Sequence, residues 1–179
     1  MTFVLGAVLA GGRSRRFGSD KANALLEGRR LIDRVIDGLA PQVDTVIVCG
    51  REISERVSVP DRPVADLGPL GGLNAALHYA LAHGYEAVVS VSCDAPFLPT
   101  DLAPRLAEAG ATAFLSNLPV IGRWPSSLAE LLEDHLATSA DRSMRLWATV
   151  AGARPIHVGE LANVNTPADL QRVGGRGLL

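Results

Sequence analysis

The stretch that decides the fold is Phe3-Val4-Leu5-Gly6-Ala7-Val8-Leu9-Ala10-Gly11-Gly12-Arg13-Ser14-Arg15-Arg16-Phe17-Gly18-Ser19-Asp20-Lys21. The apolar run over residues 3–9 predicts a buried β-strand, and the glycines after it predict a loop. Glycine lets backbone N–H groups approach phosphate oxygens closely, and four cations within nine residues would neutralise a polyphosphate. The alternative is a solvated basic turn.

The spacing of the glycines excludes two common phosphate-binding loops. Gly12 and Gly18 are separated by five residues and Lys21 comes three later, so the loop is not a Walker A motif. Gly11 and Gly12 are adjacent, which excludes the G-x-G-x-x-G pattern.

Outside this loop, short β-branched runs alternate with amphipathic stretches, the pattern of a parallel sheet covered by helices. We predict an α/β fold: a three-layer, Rossmann-like, open and mostly parallel sheet with helices on both faces. Strands are predicted at 3–9, 45–49, 63–66, 87–92, 111–115 and 155–158. Helices are predicted at 31–39, 73–82, from a Thr100–Asp101 cap to 109, at 126–136, at 143–151, and after Thr166 and Pro167.

Composition excludes several function classes. The chain has 179 residues and a formal charge of −2, so it lacks the general positive field of a nucleic-acid or membrane-surface binder. Two cysteines, Cys49 and Cys93, are too few for a disulfide framework and fit a reducing compartment. No apolar run reaches the roughly 20 residues that span a bilayer. We expect a cytoplasmic protein with a small-molecule ligand.

Polar residues follow the predicted strands at the edge where ligands of open α/β sheets bind. Asp94 ends the most apolar strand, where a carboxylate is either a turn cap or a ligand for Mg²⁺. Asp66 ends the preceding predicted strand and is a second carboxylate or a ribose or base contact. Asn163 and Asn165 lie before the last helix, either as ligand contacts or as turn-stabilising amides.

The chain resembles the MobA-like nucleotidyltransferases over nearly its whole length. The resemblance rests on four motifs in the family's order: Leu9-Ala10-Gly11-Gly12-x-Ser14-x-Arg16-Phe17-Gly18-x-Asp20-Lys21, Asp66 with Gly68-Pro69-Leu70-Gly71-Gly72-Leu73, Cys93-Asp94-Ala95-Pro96-Phe97-Leu98-Pro99, and Asn163-Val164-Asn165-Thr166-Pro167. It implies a fold of the nucleotide-diphospho-sugar transferase type. It also implies a single domain over 1–179, with a nucleotide-binding half about 1–100 and an acceptor-binding half about 101–173.

The activity that the resemblance implies is transfer of GMP from GTP to the molybdopterin cofactor, with Mg²⁺ or alternatively Mn²⁺. By position, Leu9, Ala10 and Gly11 would line the guanine and ribose, and Gly12, Arg16 and Lys21 would hold the phosphates. Asp66 would contact the nucleotide, Asp94 would bind the metal, and Asn163 and Asn165 would lie near the pterin. Transient contacts with other molybdenum-cofactor proteins are implied as well.

Two stretches depart from the family pattern. Cys49 stands at a nucleotide-binding position where the family often has Asn, and residues 112–127 lack the Asp-Gly-x-x-x-Pro-Leu stretch, of which residues 118–121 are a candidate remnant. Two alternatives therefore stay open. One is a related transferase that uses CTP or a sugar-phosphate acceptor, and the other is a non-catalytic nucleotide-binding regulator.

The implied reaction needs charge stabilisation more than a base, because an acceptor phosphate is already anionic at pH 7. We expect catalysis to rest on positioning and electrostatics. Arg16 and Lys21 are the predicted catalytic cations, and Asp94 is the predicted catalytic metal ligand.

Overall fold

The computed structural model describes residues 3–11, 24–164 and 166–174. The strands in these ranges are β1 (Val4–Leu9), β2 (Leu25–Leu26), β3 (Arg29–Arg30), β4 (Thr45–Cys49), β5 (Ser58–Val59), β6 (Ala87–Ser92), β7 (Ala113–Leu115), β8 (Leu118–Pro125) and β9 (Arg154–Ile156). The α-helices are α1 (Leu31–Leu39), α2 (Pro69–Ala82), α3 (Leu102–Ala109), α4 (Ala129–Thr138), α5 (Met144–Val150) and α6 (Pro167–Gly174).

The main sheet has seven strands in the order β5-β4-β1-β6-β8-β7-β9, and β2 and β3 form a separate small hairpin. Strands β5, β4, β1 and β6 run parallel. Strand β8 is antiparallel to β6 and β7, and β9 is parallel to β7. The predicted open, mostly parallel α/β sheet is confirmed.

Helices cover both faces of this sheet. Alternate residues of β1 belong to different cores: Leu5 and Leu9 pack with α2, α4 and α5, whereas Val8 packs with α1 and α3. Gly6 allows α1 to lie close to β1, since a Cβ there would approach Leu39 Cδ2 to 2.8 Å. This alternation explains why β1 is almost continuously apolar.

Three of the predicted elements have the predicted bounds: α1, β4 and β6. Helix α2 begins at Pro69, four residues earlier than predicted, because Pro is well suited to the first helical position. Helix α6 begins at Pro167, as predicted. Thr166 Oγ1 accepts from Asp169 N at 3.1 Å while Thr166 N donates to Asp169 Oδ2 at 2.9 Å, which forms a reciprocal cap.

The predicted strand at 63–66 is wrong. These residues are exposed and belong to no strand in the described chain, and Asp66 has a left-handed φ of 65°. The strand beside β4 is instead Ser58–Val59. The sequence prediction also missed β8, which lies between β6 and β7 and runs antiparallel to both.

Further predictions of element boundaries and of a helix cap also need correction. Residues 126–128 form a 3₁₀ turn before α4, and β9 covers 154–156 rather than 155–158. Helix α3 begins at Leu102, but its N-cap residue Asp101 makes no side-chain capping hydrogen bond.

Candidate functional site

The carboxyl ends of the three central strands meet in one line. Leu9 at the end of β1 pairs with Cys49 of β4 on one side and with Ser92 of β6 on the other. Helix α1 follows β1 in the chain and packs on one face of the sheet. Helix α2 precedes β6 and packs on the opposite face. The strand ends therefore border the kind of crevice in which open α/β sheets bind ligands.

Gly11 and Gly50 bring the backbones that leave β1 and β4 together. Gly50 has a φ of 78°, and a Cβ on it would lie 2.5 Å from Gly11 Cα. Any side chain at this position would clash with backbone and would also be conformationally strained. The predicted ligand residues Leu9 and Ala10 are each 5% exposed and lie directly before this contact.

Asp61 is a site residue that the sequence prediction missed. Its carboxylate lies against Gly11, Gly50 and the first turn of α2, and a Cβ on Gly11 would lie 2.8 Å from Asp61 Oδ2. Asp61 Oδ1 is buried and has no hydrogen-bond partner in the described part of the chain. Burial, and secondarily the charge of Asp66, raises the pKa of this carboxyl group. A buried acceptor without a partner is well suited to accept hydrogen bonds from a ligand.

A pocket of about 320 Å³ opens beside this carboxylate. Its size is within the range of small-molecule sites. Its lining includes Gly50, Arg51, Val59, Asp61 and Ala65. Asp61 therefore lies in the wall of a cleft large enough for a small molecule.

Cys49 is buried beneath this wall of the pocket and packs against α2. Its side chain is wholly buried, and Cβ lies 3.2 Å from the position of a Cβ on Gly72 in α2. Burial, with a smaller contribution from the charge of Asp61, strongly raises the pKa of the Cys49 thiol. The carbonyl of Cys49 accepts from Ala10 N at 3.0 Å, so Cys49 fixes the loop after β1 through its backbone.

Asp94 stands on the opposite side of β1 from Asp61. Two strand spacings separate the ends of β4 and β6, about 10 Å in all. The Ser92 hydroxyl donates to Asp94 Oδ1, which orients the carboxylate at the end of β6. The predicted metal carboxylate therefore borders the same crevice as Asp61.

The segment with Asn163 is bonded directly to Asp94. Val164 N donates to the Asp94 carbonyl at 2.9 Å, and the Val164 side chain is wholly buried with Leu26 and Leu31. Asn163 Oδ1 is buried and has no hydrogen-bond partner within residues 3–11, 24–164 and 166–174. The structure thus brings predicted residues from β1, β6 and the segment before α6 to one edge of the sheet.

The remaining predicted site residues divide into two groups. Asp66 lies on the exposed surface of the loop before α2, five residues beyond Asp61. Gly12, Arg16, Lys21 and Asn165 lie outside the described residues.

Comparisons with known proteins identify the family of this chain. Residues 6–154 match the model of the MobA-like NTP transferase domain. The chain belongs to the MobA-like NTP transferase family. A molybdenum cofactor guanylyltransferase of Rhizobium leguminosarum bv. trifolii is 39% identical, with 93% of this chain and 90% of that protein covered. As a member of the MobA-like family, the chain is a nucleotidyltransferase.

Solved structures show that the fold is that of nucleotidyltransferases. Molybdopterin-guanine dinucleotide biosynthesis protein A from Archaeoglobus fulgidus superposes with a TM-score of 0.77 at 22% identity, covering 97% of this chain and 98% of that one. A Mycobacterium tuberculosis H37Rv protein in complex with manganese gives a TM-score of 0.63 at 18% identity, covering 97% and 99%.

Two further kinds of feature are absent from residues 3–11, 24–164 and 166–174. None of their helices is long and apolar enough to cross a membrane. Within the same ranges, no three His, Cys, Asp or Glu side chains cluster as a metal site.

Proposed function

We propose that this protein transfers GMP from GTP to the molybdopterin cofactor, forming the guanine dinucleotide cofactor and pyrophosphate. The observation that carries the proposal is the pair of carboxylates, Asp61 and Asp94, on either side of the glycine-rich exit from β1. The name of the Rhizobium relative supports the same reaction. We further propose that the reaction takes place in the cytoplasm, where Cys49 and Cys93 stay reduced.

Asp61 gives the proposed site a preference for guanine. Guanine presents an N1–H donor and an N2 amino donor side by side, and an ionised carboxylate can accept from both. Adenine and cytosine do not present this pair of donors. The unpartnered Asp61 Oδ1 and the adjacent pocket support this role, with Leu9, Ala10 and Gly11 on the base and ribose side.

Positive charge for the phosphates is assigned to the loop after β1. We propose that backbone N–H groups at Gly11 and Gly12 orient the phosphates and that Arg16 and Lys21 neutralise the charge developing on the α-phosphate and the pyrophosphate. Asp66 remains an additional nucleotide contact in this proposal. The position of Gly11 beside Gly50 supports it, since this close contact fixes the backbone from which the loop begins.

The donor atoms near Asp94 fit a divalent cation. Asp94 supplies a carboxylate, and Asn163 Oδ1 is a buried amide oxygen without a protein partner in the described chain. Oxygen donors are the ligands that Mg²⁺ and Mn²⁺ take, and Mg²⁺ commonly uses one or two carboxylates plus substrate phosphates. We propose that Asp94 holds the cation, Mg²⁺ or Mn²⁺, and that Asn163 faces it. Such a cation would neutralise phosphate charge.

The proposed chemical step is a single displacement at phosphorus. A phosphate oxygen of the pterin cofactor forms a bond to the α-phosphorus of GTP, while the bond from that phosphorus to the bridging oxygen breaks. The bridging oxygen leaves with pyrophosphate. The task of the protein is then to hold both phosphates in line, and we assign the acceptor side to Asn163 and Asn165.

The first test is calorimetric titration of the wild type with GTP, ITP, CTP and ATP in the presence of Mg²⁺. We expect GTP to bind most tightly and ITP, which lacks the N2 amino group, to bind about tenfold or more weakly. Asp94→Ala should weaken GTP binding in Mg²⁺, whereas Asp134→Ala, at an exposed position of α4, should not.

Three results would contradict the proposal. Preferential binding of CTP would support the cytidylyl alternative. GTP binding without pyrophosphate release in the presence of the pterin cofactor would support a regulator. The absence of binding to any of the nucleotides would reject the site.

A further inference from the structure

Three polar side chains from outside α4 approach the carboxylate of Glu133, and two of them donate hydrogen bonds to it. Asn74 Nδ2 donates to Glu133 Oε2 at 3.1 Å, and Arg62 Nη2 donates to both carboxylate oxygens at 3.2 Å. His78 Nε2 lies 2.7 Å from Glu133 Oε2. Hydrogen bonds from Asn74 and Arg62 lower the pKa of Glu133 below its ordinary value, so the carboxylate is ionised at neutral pH.

This polar cluster lies between two helices that otherwise pack through apolar residues. Asn74 is wholly buried on α2, and His78 follows it one turn later, whereas their neighbours Leu73 and Leu77 belong to the main core. Apolar side chains could join the helices at a lower desolvation cost. A polar network at such a place fixes a specific arrangement of its members, because each donor needs one acceptor in one position.

Arg62 connects this cluster to the nucleotide crevice. It directly follows Asp61, and its backbone N–H donates to the Gly71 carbonyl at 3.1 Å. Its guanidinium reaches Glu133, so two attachments hold the segment on which Asp61 lies. Residues 62–66 are otherwise exposed and lack regular secondary structure. The Glu133–Arg62 pair is therefore placed to control where the Asp61 carboxylate lies.

We propose that Glu133 is a positioning residue for base selection. Through Arg62, Glu133 holds the Asp61 carboxylate against Gly11 and Gly50, where the carboxylate accepts hydrogen bonds from the purine base. This inference rests on the proposed function, because it concerns recognition of guanine at the same site. Glu133 itself touches neither the pocket beside Asp61 nor the glycines around it. Its effect is on selectivity between nucleotides rather than on a chemical step.

The experiment measures the ratio of GTP to ITP affinity by calorimetry in Mg²⁺. Wild type, Glu133→Gln, Arg62→Gln and the control Glu130→Gln are compared, since Glu130 lies exposed on the same helix. We expect Glu133→Gln and Arg62→Gln to lower this ratio by about threefold to tenfold, the size of couplings within one contact network. The control should retain the wild-type ratio. Arg62→Gln changes an exposed side chain, so it tests the inference even if Glu133→Gln fails to fold.

A double-mutant cycle separates positioning from general stability. In an Asp61→Asn background, Glu133→Gln should not change the ratio further, because the carboxylate through which it acts is gone. An unchanged ratio in folded Glu133→Gln and Arg62→Gln would overturn the inference while leaving the proposed function intact. A wild type that binds neither nucleotide would overturn both.

Discussion

Asp61 is the residue at which binding and stability are expected to conflict. Its carboxyl has a raised pKa because it is partly buried and because Asp66 is nearby. A folded-state pKa above the unfolded value means that the folded chain holds this proton more tightly. Stability is therefore lost as the pH rises from the unfolded value, about 3.8, through the raised one. Above its raised pKa, the ionised carboxylate destabilises the fold.

We predict that Asp61→Asn unfolds at a higher temperature than the wild type at pH 7. The difference should narrow as the pH falls through the raised pKa and should close below the ordinary carboxyl range. The same variant should bind GTP at least about tenfold more weakly, because it loses charge-assisted hydrogen bonds to the base. Thermal unfolding across pH and GTP titration measure the two effects. A variant that is less stable at every pH would show that Asp61 has a structural role.

Helix α3 shows at the scale of an element how a distant side chain can replace a local cap. Asp101 pairs with Arg105 instead of capping the helix. Gln42 supplies the acceptor: its Oε1 receives Ala103 N at 3.0 Å, and its Nε2 donates to Pro99 O at 2.9 Å. One amide thereby links the end of α1 to the start of α3.

We predict that Gln42→Ala lowers the free energy of unfolding by about 1–3 kcal/mol, because it removes the acceptor of the Ala103 N–H at the start of the helix. Asp101→Ala should cost less than about 1 kcal/mol, since its partner is an exposed arginine. Urea denaturation measures the free energy of unfolding of both variants and of the wild type. Equal losses would mean that the cap of α3 is local after all.

The elements that could be predicted from the sequence are those whose signal is local. Helix α1 has apolar residues at helical spacing, and β4 and β6 are continuous apolar runs, so their bounds were predictable. Strand β8 carries Pro119 and Gly122 and is a strand because β6 and β7 pair with it on both sides. Such pairing joins distant segments and leaves no periodic pattern.

The same distinction separates the two carboxylates of the site. Asp94 directly follows an apolar strand, so its place at the sheet edge could be predicted from its neighbours in sequence. Asp61 follows a two-residue strand, and its contacts come from Gly11, Gly50 and Gly71. No local sequence pattern predicts a contact that three separate segments of the chain form. The role of Asp61 therefore emerged only from the folded chain.

On the scale of the whole molecule, the two halves that we propose for nucleotide and acceptor binding share their cores. Trp124 and Trp147 are wholly buried, and both pack in the cluster that contains Leu5 of β1 and Leu73 of α2. Strands β6 and β8 pair directly across the boundary between the halves. Unfolding either half alone would expose apolar surface of the other, which disfavours a half-folded intermediate.

We predict that the chain unfolds in one cooperative transition. Both tryptophans belong to the acceptor-binding half, so their fluorescence reports that half, whereas far-ultraviolet circular dichroism reports all helices and strands. The two midpoints should coincide. GTP with Mg²⁺ at about 100 times its Kd should raise both by roughly 5–10 °C, since about 2.7 kcal/mol of binding energy stabilises the whole fold. A shift seen by circular dichroism alone would mean that the halves unfold separately, and GTP binding would then not stabilise the acceptor side.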